Sequence, residues 1–225
     1  MPLTELQLPD AASPARDCPI CPRLAAFRHE WQAREPSWFN GPVPVFLPRG
    51  GVANVRLLIV GLAPGLRGAN RTGRPFTGDY AGDLLYSTMK KFGFATGTYE
   101  ARPDDSLELL EAGIANSVRC VPPENKPTGP EINNCRQFLT PVFTALPKLS
   151  CIVTLGRIGH DSAIRALGGR IAQAPFSHGG VNRIAGYSIF SSYHCSRYNT
   201  NTGRLTEEMF VSVFAAVRAE LDRQP

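Results

Sequence analysis

Four short runs rich in β-branched and aliphatic residues punctuate the chain: Val55 to Val60, Ile114 to Val118, Cys151 to Leu155 and Tyr187 to Ser192. Each is bounded by turn or helix-start signals, the pattern of buried parallel strands. Helical patterns lie between them. In TGPEINNCRQFLTPVF, Thr128 stands as N-cap, Pro130 at an early helical position and Glu131 at N3, which together make a capping box. After Thr206, the residues Phe210, Phe214, Val217 and Leu221 fall on one face at 3.6-residue spacing, which predicts a helix that packs on the sheet. Strands alternating with helices predict an α/β protein with a parallel sheet. Ligands of such sheets bind outside the carboxyl ends of the strands.

The segments that follow the strands are therefore read together. After the first comes GLAPG and then a basic stretch with Arg67, Arg71 and Arg74, ending in PFTGD. NSVRCVPPENKP follows the second, GRIGH the third and YHCSRYNTNTGRL the fourth. One sheet edge thus collects an aromatic ring (Phe76), a carboxylate (Asp79), an amide (Asn116), an imidazole (His194) and several arginines. Taken singly, each has an ordinary structural explanation: Phe76 as core, Asp79 as a helix cap, Asn116 as a turn former, His194 as a satisfied polar residue. Their convergence at strand ends points instead to a site.

Composition narrows the class. The 225 residues, 43% of them hydrophobic, suit a single domain over the whole chain. No apolar run reaches the roughly 20 residues of a membrane span, and the start MPLTELQLPD lacks a basic region and an apolar core, so the expected compartment is the cytosol. A formal charge of +5 and a pI near 9.0 suit a phosphate-rich partner. Six cysteines without an export signal argue for metal ligation rather than disulfides. Cys18 and Cys21 form C-x2-C, and Cys120 and Cys135 are the expected second pair. Four thiolates fit either an iron–sulfur cluster or a structural zinc. Cys151, at the start of an apolar strand, and Cys195 are expected to be packed residues.

The succession CPICPRL, GLAPGLRGANRTGRPFTGD, NSVRCVPPENKPT, LGRI and SSYHCSRYNTNTGRLTEEMF resembles the uracil-DNA glycosylase superfamily, and within it the family 5, type B enzymes that carry an iron–sulfur cluster. The resemblance covers most of the chain. It implies a three-layer α/β/α fold on a four-stranded parallel sheet, a [4Fe-4S] cluster on Cys18, Cys21, Cys120 and Cys135, and removal of uracil and other deaminated bases such as hypoxanthine from DNA. Cys195 departs from the pattern, since related enzymes more often carry Pro or Val after the histidine.

Chemistry on a base requires the nucleotide to be flipped into a pocket. Gly61, Ala63 and Gly65 are then expected to bring backbone N–H groups against the base and sugar, where larger side chains would block them. Because GLAPG has no side chain for proton transfer, Asp79 is the expected catalytic carboxylate and His194 the donor to the base oxygen. Phe76 is expected to stack on the base and Asn116 to bond its Watson–Crick edge. Arg67, Arg71, Arg74, Arg197 and Arg204 are candidates for phosphate contacts. Lys126 is the one lysine of the motifs, so no lyase step is expected, and the protein is expected to be a monomer. A non-catalytic, metal-stabilised nucleic-acid-binding module would explain the charge and the cysteines but not the gathered Asp, His, Asn and Phe. A nucleotide-binding enzyme fares worse, because no G-x4-G-K-[ST] occurs and no G-x-G-x-x-G follows the first strand.

Overall fold

The four apolar runs pair into one sheet in the computed structural model, which describes residues 7–224. The opening MPLTEL, part of the stretch used above to assign a compartment, lies outside the described residues. The chain runs through α1 (Pro22–Arg34), β1 (Leu57–Gly61), α2 (Ala69–Thr72), α3 (Tyr80–Lys91), β2 (Ala95–Thr96), β3 (Glu108–Leu109), β4 (Ala112–Asn116) and α4 (Gly129–Thr144). It continues with β5 (Cys151–Leu155), α5 (Gly156–Ala166), β6 (Val181–Ile184), β7 (Tyr187–Ser192), α6 (Arg197–Asn201) and α7 (Glu207–Asp222).

The main sheet has the order β4-β1-β5-β7-β6. The first four strands are parallel, as expected, but β6 adds a fifth, antiparallel to β7. The reason it escapes the hydrophobic pattern is its place at the sheet edge: VNRI alternates exposed and half-buried residues, and the tight turn Ala185–Gly186 lacks the usual Asn-Gly signal. A second difference concerns register. β4 spans Ala112–Asn116 rather than Ile114 to Val118, because Ala112 and Gly113, weak strand formers by themselves, pair with Leu57 and Leu58. The shift puts Asn116 at the last paired position, opposite Gly61.

Alternate residues of each strand serve opposite faces. Leu57, Ile59, Val153 and Phe190 pack with Leu85 and Met89 of α3 and Phe210, Phe214, Val217 and Leu221 of α7. On the other face, Leu58, Val60, Ile152 and Ile189 pack with Leu139, Val142 and Phe143 of α4 and Ala163 and Ile164 of α5. The result is a three-layer α/β/α stack, held by cores on both faces of the sheet. Thr128 and Glu131 form the capping box of α4, and Glu131 also pairs with Arg23 of α1 at 2.7 Å, tying the C-x2-C segment to that helix. Among the described residues, no helix is long and apolar enough to cross a membrane.

Candidate active site and cysteine centre

At the carboxyl ends of β1, β4 and β7 lies a cavity of about 650 Å³, and Ala63, Gly65, Phe76, Asp79, Asn116 and His194 all line it. The four side chains gathered from sequence thus face one space. Gly61 does not line it, and its role differs from the one expected. A Cβ on Gly61 would stand 2.5 Å from Asn116 Oδ1 and 2.8 Å from Phe76 Cζ. Similarly, a Cβ would stand 3.0 Å from Asp79 Oδ2 if placed on Gly65 and 2.4 Å if placed on Gly68. These glycines leave room for the site's own side chains. Gly61→Ala is therefore expected to displace Asn116 and Phe76 and to slow the base release that the family resemblance implies about ten- to a hundredfold, as misplaced reacting groups do; an unchanged single-turnover rate would refute this role.

Phe76 adopts a left-handed backbone with φ +52° and is 7% exposed. Such a conformation persists in a bulky residue only where its surroundings impose it. Arg74 supplies much of that constraint, and here the structure corrects the sequence reading. Rather than reaching for phosphate, Arg74 is buried, with Nη1 and Nη2 each 2.8 Å from the Asp105 carboxylate and Nε 2.7 Å from Thr77 Oγ1. The Tyr86 hydroxyl donates to Pro75 O and the Tyr99 hydroxyl to Phe76 O at 3.1 Å. The loop 74–79 is thereby pinned on both sides of the ring.

Asp79 occupies the N-cap position of α3, its carboxylate facing the Ala81 and Gly82 amides without closing a well-formed capping hydrogen bond to either. Burial pushes its carboxyl above the usual value, the facing amides of Ala81 and Gly82 pull it down, and Asp83 adds to the rise. Oδ1 is buried without a partner in the protein, and so is Asn116 Oδ1. Both residues line the cavity, and orphaned buried oxygens are costly unless something else bonds them.

His194 packs against Phe76 with ring centroids 5.8 Å apart and planes 27° from parallel. Its accessible surface is intermediate, yet the surrounding protein desolvates it enough to lower its pKa to about 4. At neutral pH the ring is uncharged and presents one N–H donor. The backbone behind it is held by Asn199 Nδ2, which donates to His194 O at 2.8 Å, and by Ser196, which caps α6. Cys195 is fully buried, its thiol turned to Ala81 O, and burial pushes its pKa up.

Among the remaining arginines, Arg67 and Arg197 line the cavity, with Arg197 over the Tyr80 ring at 5.3 Å. Arg71 is exposed and folds back onto Arg67 O. Arg204 lies over Tyr193 at 4.7 Å and lines a second cavity of about 630 Å³, which shares Leu62 and His194 with the first. Two residues of this surface escape the sequence reading. Asn125 lines the first cavity from a left-handed position (φ +57°) in the PPENKP loop, and Arg157, over Phe176 at 5.6 Å, lines the second. Asn125 stands inside a quoted motif, but only tertiary contact turns it toward the site.

Cys18, Cys21, Cys120 and Cys135 line one small cavity between α1 and α4. Burial pushes the Cys120 thiol up to about 12 and also raises Cys21 and Cys135, so thiolates at neutral pH require a metal's positive charge. Donors already point at the sulfurs: Arg119 N to Cys135 Sγ at 3.2 Å, Arg28 Nη1 to Cys120 Sγ at 3.7 Å, and Asn134 Nδ2 to Cys21 Sγ at 3.7 Å. Among the described residues, no group of three or more His, Cys, Asp or Glu is set closely enough to clasp a single metal ion. The four cysteines that line this cavity make up the all-thiolate donor set that an iron–sulfur centre takes.

Fold and site define an α/β protein that takes its ligand at the carboxyl ends of a parallel sheet. The family model described as "Uracil DNA glycosylase superfamily" matches residues 48–218, and the chain belongs to that superfamily. It is 42% identical over 203 residues to a Type-5 uracil-DNA glycosylase of Thermus thermophilus, covering 87% of this chain and 90% of the relative. A Type-5 uracil-DNA glycosylase of Pyrobaculum aerophilum is 36% identical over 206 residues, covering 91% and 89%. One from Mycobacterium bovis is 37% identical over 207 residues, covering 88% and 75%.

Proposed function

We propose that this protein is a monofunctional DNA glycosylase that hydrolyses the N-glycosidic bond of uracil and other deaminated bases, such as hypoxanthine, in DNA, and so initiates base excision repair. The observation that carries this reading is one cavity lined by Phe76, Asp79, Asn116 and a neutral His194, where Asp79 and Asn116 each keep a buried oxygen without a protein partner. At 5.8 Å the Phe76 and His194 rings are in direct contact, so the flipped base stacks on the cavity side of Phe76 rather than between them. Asn116 bonds its polar edge.

As the bond from the base nitrogen to C1′ breaks, its electron pair moves into the base and positive charge gathers on the sugar. His194 donates its N–H to the base oxygen that becomes negative, and the Asp79 carboxylate faces the sugar. A water oxygen adds to C1′, and Asp79 accepts the proton it sheds. Arg67, Arg197, Arg157 and Arg204 flank the two cavities and supply phosphate contacts, which makes binding salt-dependent. The four cysteines hold a [4Fe-4S] cluster, which when bound staples the N-terminal segment to α4.

Single-turnover release of uracil and hypoxanthine from duplex oligonucleotides tests this reading. Wild type is expected to release both; release of neither by iron-loaded protein would overturn it. His194→Ala is expected to slow the chemical step roughly a hundredfold or more, the ~2.7–4 kcal/mol of a preorganised donor. A change confined to oligonucleotide affinity would remove that role.

A further inference from the structure

Arg28 is 2% exposed and Arg119 is 1% exposed, and both rank among the largest fully buried side chains of the protein. A guanidinium stays charged at any depth. The third buried arginine, Arg74, meets its charge with the Asp105 carboxylate, and half-buried Arg56 pairs with Glu111. Arg28 and Arg119 have no carboxylate partner among the described residues. Arg28 donates to Cys18 O at 3.2 and 3.3 Å and to Cys120 Sγ, and its Nε has no partner at all. Arg119 donates to Val43 O and Ala12 O, both at 3.4 Å, and its charge acts on Cys135 and Cys120. Both exceptions adjoin the cysteine centre: Arg28 through Cys18 O and Cys120 Sγ, and Arg119 through its backbone N–H, 3.2 Å from Cys135 Sγ.

We propose that Arg28 and Arg119 are the built-in counter-ions of the cysteine centre: two fixed cations that balance its net negative charge, retain it, and set its reduction potential. The inference rests on reading the cysteines as ligands of an iron–sulfur cluster. A doubly positive [4Fe-4S] core on four thiolates carries two net negative charges, which two guanidiniums match. If carbonyls alone had to be satisfied, neutral amide side chains would do so without burying charge. Nearby positive charge and hydrogen bonds to sulfur favour the more reduced, more negative state of such a centre, so the pair raises its potential.

The test compares wild type with Arg28→Lys, Arg28→Met, Arg119→Lys and Arg119→Met, all prepared without oxygen. Iron and sulfide content, the rate of iron loss to a chelator, and the one-electron potential at an electrode are measured. The Met variants are expected to lose iron several-fold faster and to show a more negative potential, with the Lys variants closer to wild type. Because the potential is read on whatever fraction is loaded, poor folding of one variant does not hide the result. Met variants with wild-type potential and retention would overturn the proposal, as would Lys variants no better than Met. Wild type that holds no iron or sulfide would overturn the cluster reading itself, a result distinguishable because base release is scored on the same preparation.

Discussion

Asp79→Asn is expected to slow single-turnover uracil release about a hundred- to ten-thousandfold, the range of a lost general base, with little change in melting temperature. The substitution separates chemistry from scaffolding. Asn caps a helix about as well as Asp, so a residue that merely began α3 would tolerate the change. Asp79 faces the Ala81 and Gly82 amides as a cap would, but it also lines the cavity and keeps a buried oxygen without a protein partner. The variant keeps the shape and removes the charge proposed to face the sugar and accept the proton of water. A pH profile adds a second readout. Burial raises the Asp79 carboxyl above its ordinary value, so the wild-type rate is expected to fall as pH drops through that raised value, where the base becomes protonated. Asp79→Asn is expected to lack this limb. His194 stays neutral down to about pH 4 and does not mask it. Wild-type rates in Asp79→Asn would transfer the proton to another group.

Arg74→Met is expected to destabilise the protein by about 3–5 kcal/mol, since it strands Asp105 as a buried charge without its partner. For a domain of this size that corresponds to a fall of about 6–20 °C in melting temperature. Burial by itself would raise the Asp105 pKa, but the Arg74 guanidinium and the amides of Glu100 and Leu107 hold it down at about 2. A carboxyl depressed in the folded state stabilises above its unfolded value, 3.8, and that contribution is lost as pH falls through about 2. The acid limb of stability over that window is expected to flatten in Arg74→Met. Base release should suffer too, because the same guanidinium bonds Thr77 and braces the strained Phe76. A melting temperature within a degree or two of wild type would show that the pair contributes nothing net.

The hydrophobic pattern determined the strand runs that lie in the interior, the capped α4, the amphipathic α7 and the α/β alternation, because each is a periodicity written within a dozen neighbouring residues. The strand-end rule then singled out Phe76, Asp79, Asn116 and His194, which line one cavity. Tertiary structure decided what depends on distant partners. Asn116 reaches the sheet edge only through the pairing of β4 with β1, and β6 exists only because β7 offers it an edge. Arg74 reads like Arg67 in sequence, yet Asp105, remote along the chain, buries it. Gly61 and Gly65 read as room for a ligand, while the space they leave is taken by Asn116, Phe76 and Asp79. Local sequence carries propensity and periodicity; which charge finds a partner, and which side chain fills a given gap, is settled only when residues far apart are packed together.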